Sequence, residues 1–337
     1  MATIYDVAKE AAYSISTVSK VLNNSTNVSS RARKKVLEAI ETLDYVPNSS
    51  ARTLATKKSN MIGVVFSENL GVGMAHPFFG PVIEGFRKFV DMHNYDLLFV
   101  SRSIKGEESY TNQLIRRGVD GIVVFSTDSD QSDLKIYREL GIPCVFIDMD
   151  VNDFNSVYSD NYHGALMAVD HLVALGHQKI AHIHGESTGF IGVERMRGFN
   201  DAISAHGLNT PEQYIMNGGY YSADGGRIAM MKLLRLNEPP TAVFVSGDQM
   251  AIGAIQAIKE YGLRVPEDIS VVGFDDIEIA KYMEPALTTI AQDKEKIGQQ
   301  AGLLAIESIL NPNCLPVKKT IPVRLIKRET TSQLRKQ

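Results

Sequence analysis

Over the first 45 residues, apolar side chains recur at helical spacing. Ile4, Val7, Ala8 and Ala11 stand at i, i+3, i+4 and i+7, one stripe of an amphipathic helix. Thr3 precedes the stripe with Asp6 three residues on, the spacing of a capping box with Asp in place of the usual Glu. A second helix is expected after Ser14, whose hydroxyl can cap free amides, with Val18, Val21 and Leu22 turned inward. The intervening Ala12-Tyr13-Ser14 is short enough only for a tight helix-turn-helix. A third helix, from about residue 30 to 43, is expected to bury Val36, Leu37, Ile40 and Leu43 and to stop before Pro47. Residues 48–58 are polar but carry the helix formers Ala51, Arg52, Leu54 and Ala55. A helix this brief does not hold alone in water, so this piece should fold only when something packs on it.

From Met61 the period changes. Short apolar, β-rich runs over 61–66, 95–100, 121–125 and 143–148 alternate with amphipathic helical stretches such as 79–92. After residue 160 the rhythm restarts, with strands at 179–185, 241–246 and 270–275 and helices at 162–175, 222–235 and 248–261. Buried strands alternating with helices predict parallel sheets covered on both faces. The break near 160 predicts two of them. The expected fold class is an all-α helix-turn-helix headpiece followed by an α/β core of two doubly wound parallel-sheet lobes.

Composition narrows the function classes. With 44% hydrophobic and 22% charged residues the 337-residue chain is an ordinary globular protein, long enough for more than one core. The start, MATIYDVAKEAA, lacks the basic and apolar regions of a signal peptide, and nothing approaches a membrane-spanning run. Two cysteines, Cys144 and Cys314, give neither metal spacing nor a disulfide framework. Cytoplasmic location, with no metal and no cofactor, is the expectation. The net charge of −4 is unevenly shared: residues 1–59 hold nine Lys or Arg against five Asp or Glu, leaving +4 there and −8 in the remainder. A basic module on an acidic body suits a polyanion-binding head.

The string Ile4-Tyr5-Asp6-Val7-Ala8-Lys9-Glu10-Ala11, followed by Ser14-Ile15-Ser16-Thr17-Val18-Ser19-Lys20-Val21-Leu22-Asn23, closely resembles the headpiece of the lactose/galactose-repressor (LacI/GalR) family. Val36-Leu37-Glu38-Ala39-Ile40 resembles its third helix, and Tyr45-Val46-Pro47-Asn48-Ser49-Ser50-Ala51-Arg52-Thr53-Leu54-Ala55 its hinge helix. The core continues the likeness in His76-Pro77-Phe78-Phe79, Gly118-Val119-Asp120-Gly121-Ile122, Arg195-Met196-Arg197-Gly198-Phe199, Val272-Gly273-Phe274-Asp275-Asp276 and Pro285-Ala286-Leu287-Thr288-Thr289-Ile290. Nearly the whole chain is covered. The resemblance implies a headpiece over 1–46, a hinge over 47–60 and a periplasmic-binding-protein-type core over 61–337. Its N-lobe would comprise about 61–160 and 291–322, its C-lobe about 161–290 and 323–337.

A recognition helix fits the major groove and reads base edges with its N-terminal residues. Here Lys20 can donate to guanine O6 and N7, Ser16 can donate or accept, and Ile15 can touch a thymine methyl; the resemblance assigns base reading to the same three positions. It also implies backbone contacts from Tyr5, Thr17, Ser19, Asn23 and Ser29, which set register. Paired hinge helices would lever Leu54 into the central step of a palindromic duplex. The family usually turns with glycine where Ala12 stands, so a strained or differently shaped turn is expected.

Ligands of parallel α/β sheets bind at the carboxyl ends of strands. Ser67, Asp148, Asp248 and Asp275 fall there, and Arg195 opens the helix after the 179–185 strand. An arginine among carboxylates suits a polyhydroxylated ligand. The resemblance places Asp148, Arg195 and Asp275 in an effector pocket with Asn161, Tyr221 and Gln292 nearby. Tyr221 and Phe79 could stack on a sugar ring. Asp248 is read as a cap of its own helix. Gly247 stands where some relatives carry a polar contact, so the pocket should differ in what it accepts.

The expected function is a DNA-binding transcription repressor governed by a carbohydrate-like effector, acting as a homodimer without enzymatic activity. The resemblance allows a phosphorylated carrier protein as corepressor, for which no residue pattern speaks. The alternatives are a solute-binding module or a sugar-processing enzyme on the same core. Gly185-Glu186-Ser187-Thr188-Gly189 matches a nucleophile elbow, but past Ser187 only His206 could serve a triad, and no acid precedes it suitably. His182 and His184 share a strand face without a third zinc ligand.

Overall fold

The computed structural model describes residues 2–22, 25, 27–45, 58–67, 72–101, 110–126, 131–185 and 189–334. Asn23, Leu54, all of the hinge before residue 58, and Glu186, Ser187 and Thr188 lie outside the described residues. The chain divides into two compact units, Met1–Ser59 and Asn60–Gln337.

In the first unit, helices α1 (Ile4–Ala11), α2 (Ile15–Leu22) and α3 (Ser30–Thr42) pack around Val7, Ala8, Ala11, Val18, Val21, Val36 and Ala39. The start of α1 is a full capping box: the Thr3 amide donates to Asp6 Oδ2 at 2.8 Å, and the Asp6 amide donates to Thr3 Oγ1 at 3.4 Å. Ser14 Oγ accepts the Thr17 amide at 3.2 Å and Ser29 Oγ accepts that of Ala32 at 3.3 Å, so all three helices begin on a side-chain cap. Leu37, expected inward, is 52% exposed. The buried stripe of α3 runs through Ala32, Val36 and Ala39, and Leu37 stands about 100° around the helix from Val36.

Ala12 closes α1 in the left-handed region, at φ 54° and ψ 41°. The glycine-type turn is therefore kept in shape and carried by an alanine. An L-residue there costs roughly 1–2 kcal/mol, partly offset because glycine loses more freedom on folding. Ala12→Gly is expected to stabilise the headpiece by about 0.5–1 kcal/mol, measured as slower amide exchange at Val7 and Val36; faster exchange would contradict the strain.

The second unit contains two sheets, each of six strands among the described residues. In the first, β1 (Met61–Ser67), β2 (Asp96–Ser101), β3 (Gly121–Ser126), β4 (Cys144–Ile147), β5 (Asn155–Ser159) and β11 (Lys318–Ile321) lie in the order β11-β5-β4-β3-β1-β2, all parallel. In the second, β6 (Ile180–His184), β7 (Ile215–Asn217), β8 (Ala242–Val245), β9 (Ser270–Asp275), β10 (Thr288–Gln292) and β12 (Val323–Ile326) lie in the order β12-β10-β9-β8-β6-β7. Only β12 runs antiparallel there, against β10.

Alternate residues of each strand enter cores on opposite faces, which is why the strands read as continuous apolar runs. Ile62, Val64, Val123 and Phe125 meet Phe86 of α4 (Phe79–Asp91) and Ile297 of α11 (Lys294–Leu310). Val65, Ile122 and Val124 meet Leu114 of α5 (Tyr110–Arg117) and Tyr137 of α6 (Gln131–Leu140). In the second sheet Phe244 and Phe274 face Val169 of α7 (Asn161–Ala174) and Phe199 of α8 (Phe190–Ala205). Val243 and Val245 face Met230 of α9 (Ala223–Leu234) and Ala254 of α10 (Asp248–Glu260). Among the described residues the chain passes between the sheets three times, from β5 into α7, from β10 into α11, and from β11 into β12.

In each sheet the strand order reverses beside the first strand, between β1 and β3 and between β6 and β8. Such switch points open a crevice at the carboxyl ends of the strands.

Candidate functional site

Asp148 follows β4 of the first sheet, while Ser246 follows β8 and Asp275 and Gln292 end β9 and β10 of the second. These carboxyl ends meet around Arg195 of α8. Arg195 is 3% exposed, and its guanidinium lies over the Phe274 ring, 3.7 Å from its centroid. Its Nε donates to Asn161 Oδ1 at 2.8 Å, and its Nη1 donates to the Ser246 carbonyl at 2.5 Å. Its Nη2 lies 3.8 Å from Asp275 Oδ1. Gln292 Nε2 donates to that same oxygen at 2.6 Å. Lys294 Nζ donates to the Asp275 and Asp276 carbonyls. A buried guanidinium is tolerable only when paired and hydrogen-bonded in this way.

The backbone is strained at the same place. Asp148 (φ 59°), Tyr221 (φ 57°), Asp275 (φ 116°) and Asp276 (φ 50°) all have positive φ, a conformation that costs a non-glycine residue of order 1–3 kcal/mol and gathers at ligand sites. The Tyr221 ring lies against two glycines. A Cβ on Gly185 would come within 2.3 Å of Tyr221 Cζ, and one on Gly247 within 2.9 Å of Tyr221 Cδ1 and 3.6 Å of Asp275 Oδ2. Gly247 thus gives the tyrosine its seat.

Three carboxylates crowd the cluster. Burial pushes Asp148 up to about 7, with Arg195 opposing and Asp275 adding to the shift. Burial also raises Asp275, against the pull of Arg195 and Lys294, and raises Asp248 further, with Asp275 contributing. Because the Asp148 carboxyl holds its proton longer folded than unfolded, its contribution to stability falls as pH rises from about 4 to about 7 and is level above that. Asp148→Asn is expected to reduce this fall and to stabilise the unliganded core near neutrality, read from urea midpoints across pH. A variant equal to or weaker than the parent at neutral pH would exclude the burial penalty.

Asp248 does not cap its helix. Gly247 is the N-cap and makes no side-chain bond. The Asp248 side chain, fully buried, accepts from the Ile277 amide at 2.9 Å and from Thr289 Oγ1 at 2.6 Å, because the segment after β9 and the strand β10 supply donors there. Phe79 lies in the first-sheet core, 2% exposed, among Phe66, Phe78 and Phe125. Ser67 is the last residue of β1. His182 is stacked between Phe199 and Phe244 and meets Ser246 Oγ through Nε2 at 2.7 Å. Burial holds its pKa well below the usual range, so the ring is neutral. Among the described residues no group of three or more His, Cys, Asp or Glu could hold a metal, and no helix is long and apolar enough to cross a membrane.

Sequence reasoning missed Ser246 and Phe274 as the frame of Arg195 and Lys294 as the partner of the Asp275 and Asp276 carbonyls. One signal was present for Lys294. It occupies the first turn of α11, where the helix dipole disfavours a cation, so another acceptor had to hold it.

On the headpiece, Ile15, Ser16 and Lys20 are exposed along α2, with Thr17 and Ser19 half-buried beside them. Tyr5 is 69% exposed. Ser29 uses its oxygen to cap α3, which leaves its proton able to donate.

Residues 3–48 match the family described as bacterial regulatory proteins, lacI family, and residues 169–331 match the periplasmic binding protein-like domain. The chain is 39% identical over 300 residues to the probable HTH-type transcriptional repressor ExuR of Bacillus subtilis (strain 168), covering 88% of each. It is 32% identical to the ribose operon repressor of Haemophilus influenzae (strain ATCC 51907 / DSM 11121 / KW20 / Rd), covering 93% of each. Among solved structures, the lac repressor dimer bound to operator and the anti-inducer ONPF superposes with a TM-score of 0.85 at 32% identity, over 98% of this chain and 99% of that one. A complex of the transcriptional regulator CelR with cellobiose gives 0.76 at 30% identity, over 98% and 100%. With a helix-turn-helix headpiece, two parallel-sheet lobes and relatives matched along nearly their whole length, the chain belongs to the lacI family of bacterial regulatory proteins.

Proposed function

We propose that the chain is a sequence-specific DNA-binding repressor whose operator affinity is set by a small molecule held between the two core lobes. The observation that carries this reading is the α2 face, where Ile15, Ser16 and Lys20 stand exposed on a capped helix. The functional parts are the headpiece (1–46), the hinge (47–60) and the core (61–337). Base reading belongs to Ile15, Ser16, Lys20 and the wedge Leu54; Tyr5, Thr17, Ser19, Asn23 and Ser29 hold the phosphates. In the core, Asp148, Asn161, Arg195, Tyr221, Asp275 and Gln292 take the effector, with Ser67 and Phe79 at the carboxyl edge of the first sheet.

Relatives include a lac repressor dimer on its operator, a regulator holding cellobiose and one holding ribose. This chain, by the same logic, binds a palindromic duplex as a homodimer and takes a carbohydrate. We read the core as a binder and not an enzyme, because Arg195 and Lys294 direct their donors at protein acceptors. A cytoplasmic location follows from work on the chromosome.

Ligand acts through its different affinity for two lobe arrangements. Those arrangements change the spacing of the paired hinges, and a hundredfold change in operator affinity requires only about 2.7 kcal/mol of coupling. The test is fluorescence anisotropy on a two-fold symmetric duplex across salt concentration. Binding should weaken steeply with salt, and a monomer indifferent to every such duplex at low ionic strength would overturn the reading. Lys20→Ala should lose about 1–3 kcal/mol on the cognate site and far less on unrelated DNA; an equal loss on both would make Lys20 a phosphate contact.

A further inference from the structure

After β12 the chain crosses the amino ends of β9 and β10, at the end of the second sheet opposite the crevice. Residues 328–334 form a strap there. Thr330 is fully buried. Its hydroxyl donates to the Val271 carbonyl at 2.7 Å and accepts from the Thr288 amide at 2.8 Å, and its own carbonyl accepts from the Val271 amide at 2.8 Å. The Ser332 amide donates to Ser270 Oγ at 3.1 Å, and the Leu334 amide to the Leu175 carbonyl at 2.9 Å. Where the strap begins, Arg328 Nη2 donates to Asp276 Oδ1 at 2.7 Å.

Two buried histidines hold the strap from the side of α7. His171, in the last turn of that helix and 9% exposed, meets Thr331 Oγ1 through Nε2 at 3.0 Å. His177, just before β6 and 3% exposed, meets the Ser332 carbonyl through Nε2 at 3.1 Å and Thr241 Oγ1 through Nδ1 at 3.0 Å. A carbonyl only accepts, so His177 carries its proton on Nε2 and keeps the Nδ1 lone pair for the Thr241 hydroxyl.

A second proton on either ring would make a buried cation. Burial holds both rings below the usual histidine range. Lys327 and His177 press His171 further down, while the Ser332 carbonyl draws His177 partly back. Among the described residues no carboxylate pairs with either ring. Asp170, the neighbour of His171, is paired with His206 at 2.7 Å, and Glu329 of the strap accepts from the Ala286 amide at 3.0 Å. An imidazolium here is answered by water only once the strap has moved.

We propose that residues 328–334 are an acid-released clasp on the second lobe, opened by protonation of His171 and His177, and that opening withdraws Arg328 from Asp276. The sign follows from linkage. Each histidine binds its proton more readily with the strap away, so the clasp is at full strength above about pH 6.5 and weakens as pH falls below it. Asp148 contributes with the opposite sign, so a global melt blends the two, and a local measurement is needed.

Hydrogen exchange of the full chain, read by mass spectrometry and corrected for the intrinsic pH dependence of exchange, supplies it. Between pH 7 and pH 5 the peptide over 328–334 should lose protection about tenfold or more, while the first-sheet strand β3 keeps its own. His171→Gln and His177→Gln, which can still donate to the strap but do not titrate, should each flatten part of this fall, and the double variant nearly all of it. A double variant that loses protection as the parent does overturns the proposal, because other groups then open the strap. So does a parent strap equally protected at both pH values, a result that needs no variant to fold. Loss of protection across β3 and the strap together also overturns it, since the lobe would then be unfolding as a whole.

Discussion

Replacing Arg195 with methionine is expected to abolish the response to effector and to destabilise the core by about 3–5 kcal/mol, the range for removing one partner of a buried ionic pair. The magnitude follows from what the guanidinium touches. It satisfies Asn161 and the Ser246 carbonyl, approaches Asp275, and covers the Phe274 ring. Methionine matches the stem and the contact with the ring, so the loss isolates charge and hydrogen bonds from packing. Without the cation, Asp148 and Asp275 lose the attraction that now opposes their burial, and both titrate higher still. Urea denaturation followed by circular dichroism measures the loss. A variant within about 1 kcal/mol of the parent, the range of an exposed pair, would mean that the pair is solvated and the cluster is no site.

The second large effect is at a glycine. A Cβ on Gly253 of α10 would lie 1.8 Å from the Ala223 carbonyl oxygen and 2.9 Å from the Arg227 amide nitrogen. Both are backbone atoms, so no flexible side chain can move aside and α9 must shift. Two effects compete for Gly253→Ala. Helix propensity favours alanine by about 1 kcal/mol, whereas overpacking a close helix contact costs about 1–3 kcal/mol and occasionally more. With the obstruction at 1.8 Å, overpacking wins, and Gly253→Val should be worse. Thermal melts decide: an alanine variant melting at or above the parent would show that the two helices separate freely.

The sequence revealed what depends on period. Strands such as β1, β3 and β9 and helices such as α4 and α10 stood out because both faces of the sheets are buried, which leaves apolar runs interrupted by amphipathic helices. β5, β7, β11 and β12 did not stand out. β7, β11 and β12 are edge strands of three or four residues, and β11 reads KKTI, because an edge strand covers less and tolerates charge; β5 breaks the apolar run with the polar residues of NSVYS. β10 was obscured for another reason. Its TTIAQ is fully buried, yet its polar residues serve Asp248 and Asp275, so they broke the apolar run by which a central strand is recognised.

The same divide runs through the site. Asp148, Arg195 and Asp275 could be located from strand ends and from likeness to a family, since a carboxyl edge is a topological place. The roles of Ser246 and Lys294 depend on which way a carbonyl or an ammonium points, which no spacing encodes. Asp248 was misread because a residue at a helix start defaults to capping, and only the neighbouring strands show that better donors lie sideways.

The passage from β11 directly into β12 has a further consequence for biosynthesis. Residues 318–326 supply an edge strand to each of the two sheets, so neither lobe has its full complement until almost the entire polypeptide has left the ribosome. The nascent chain must carry two partly assembled lobes at once, and they finish within the span of a few residues. A premature stop upstream of this stretch would therefore leave a pair of unfinished sheets instead of one sound half, and such a fragment is a natural target for chaperones and proteases.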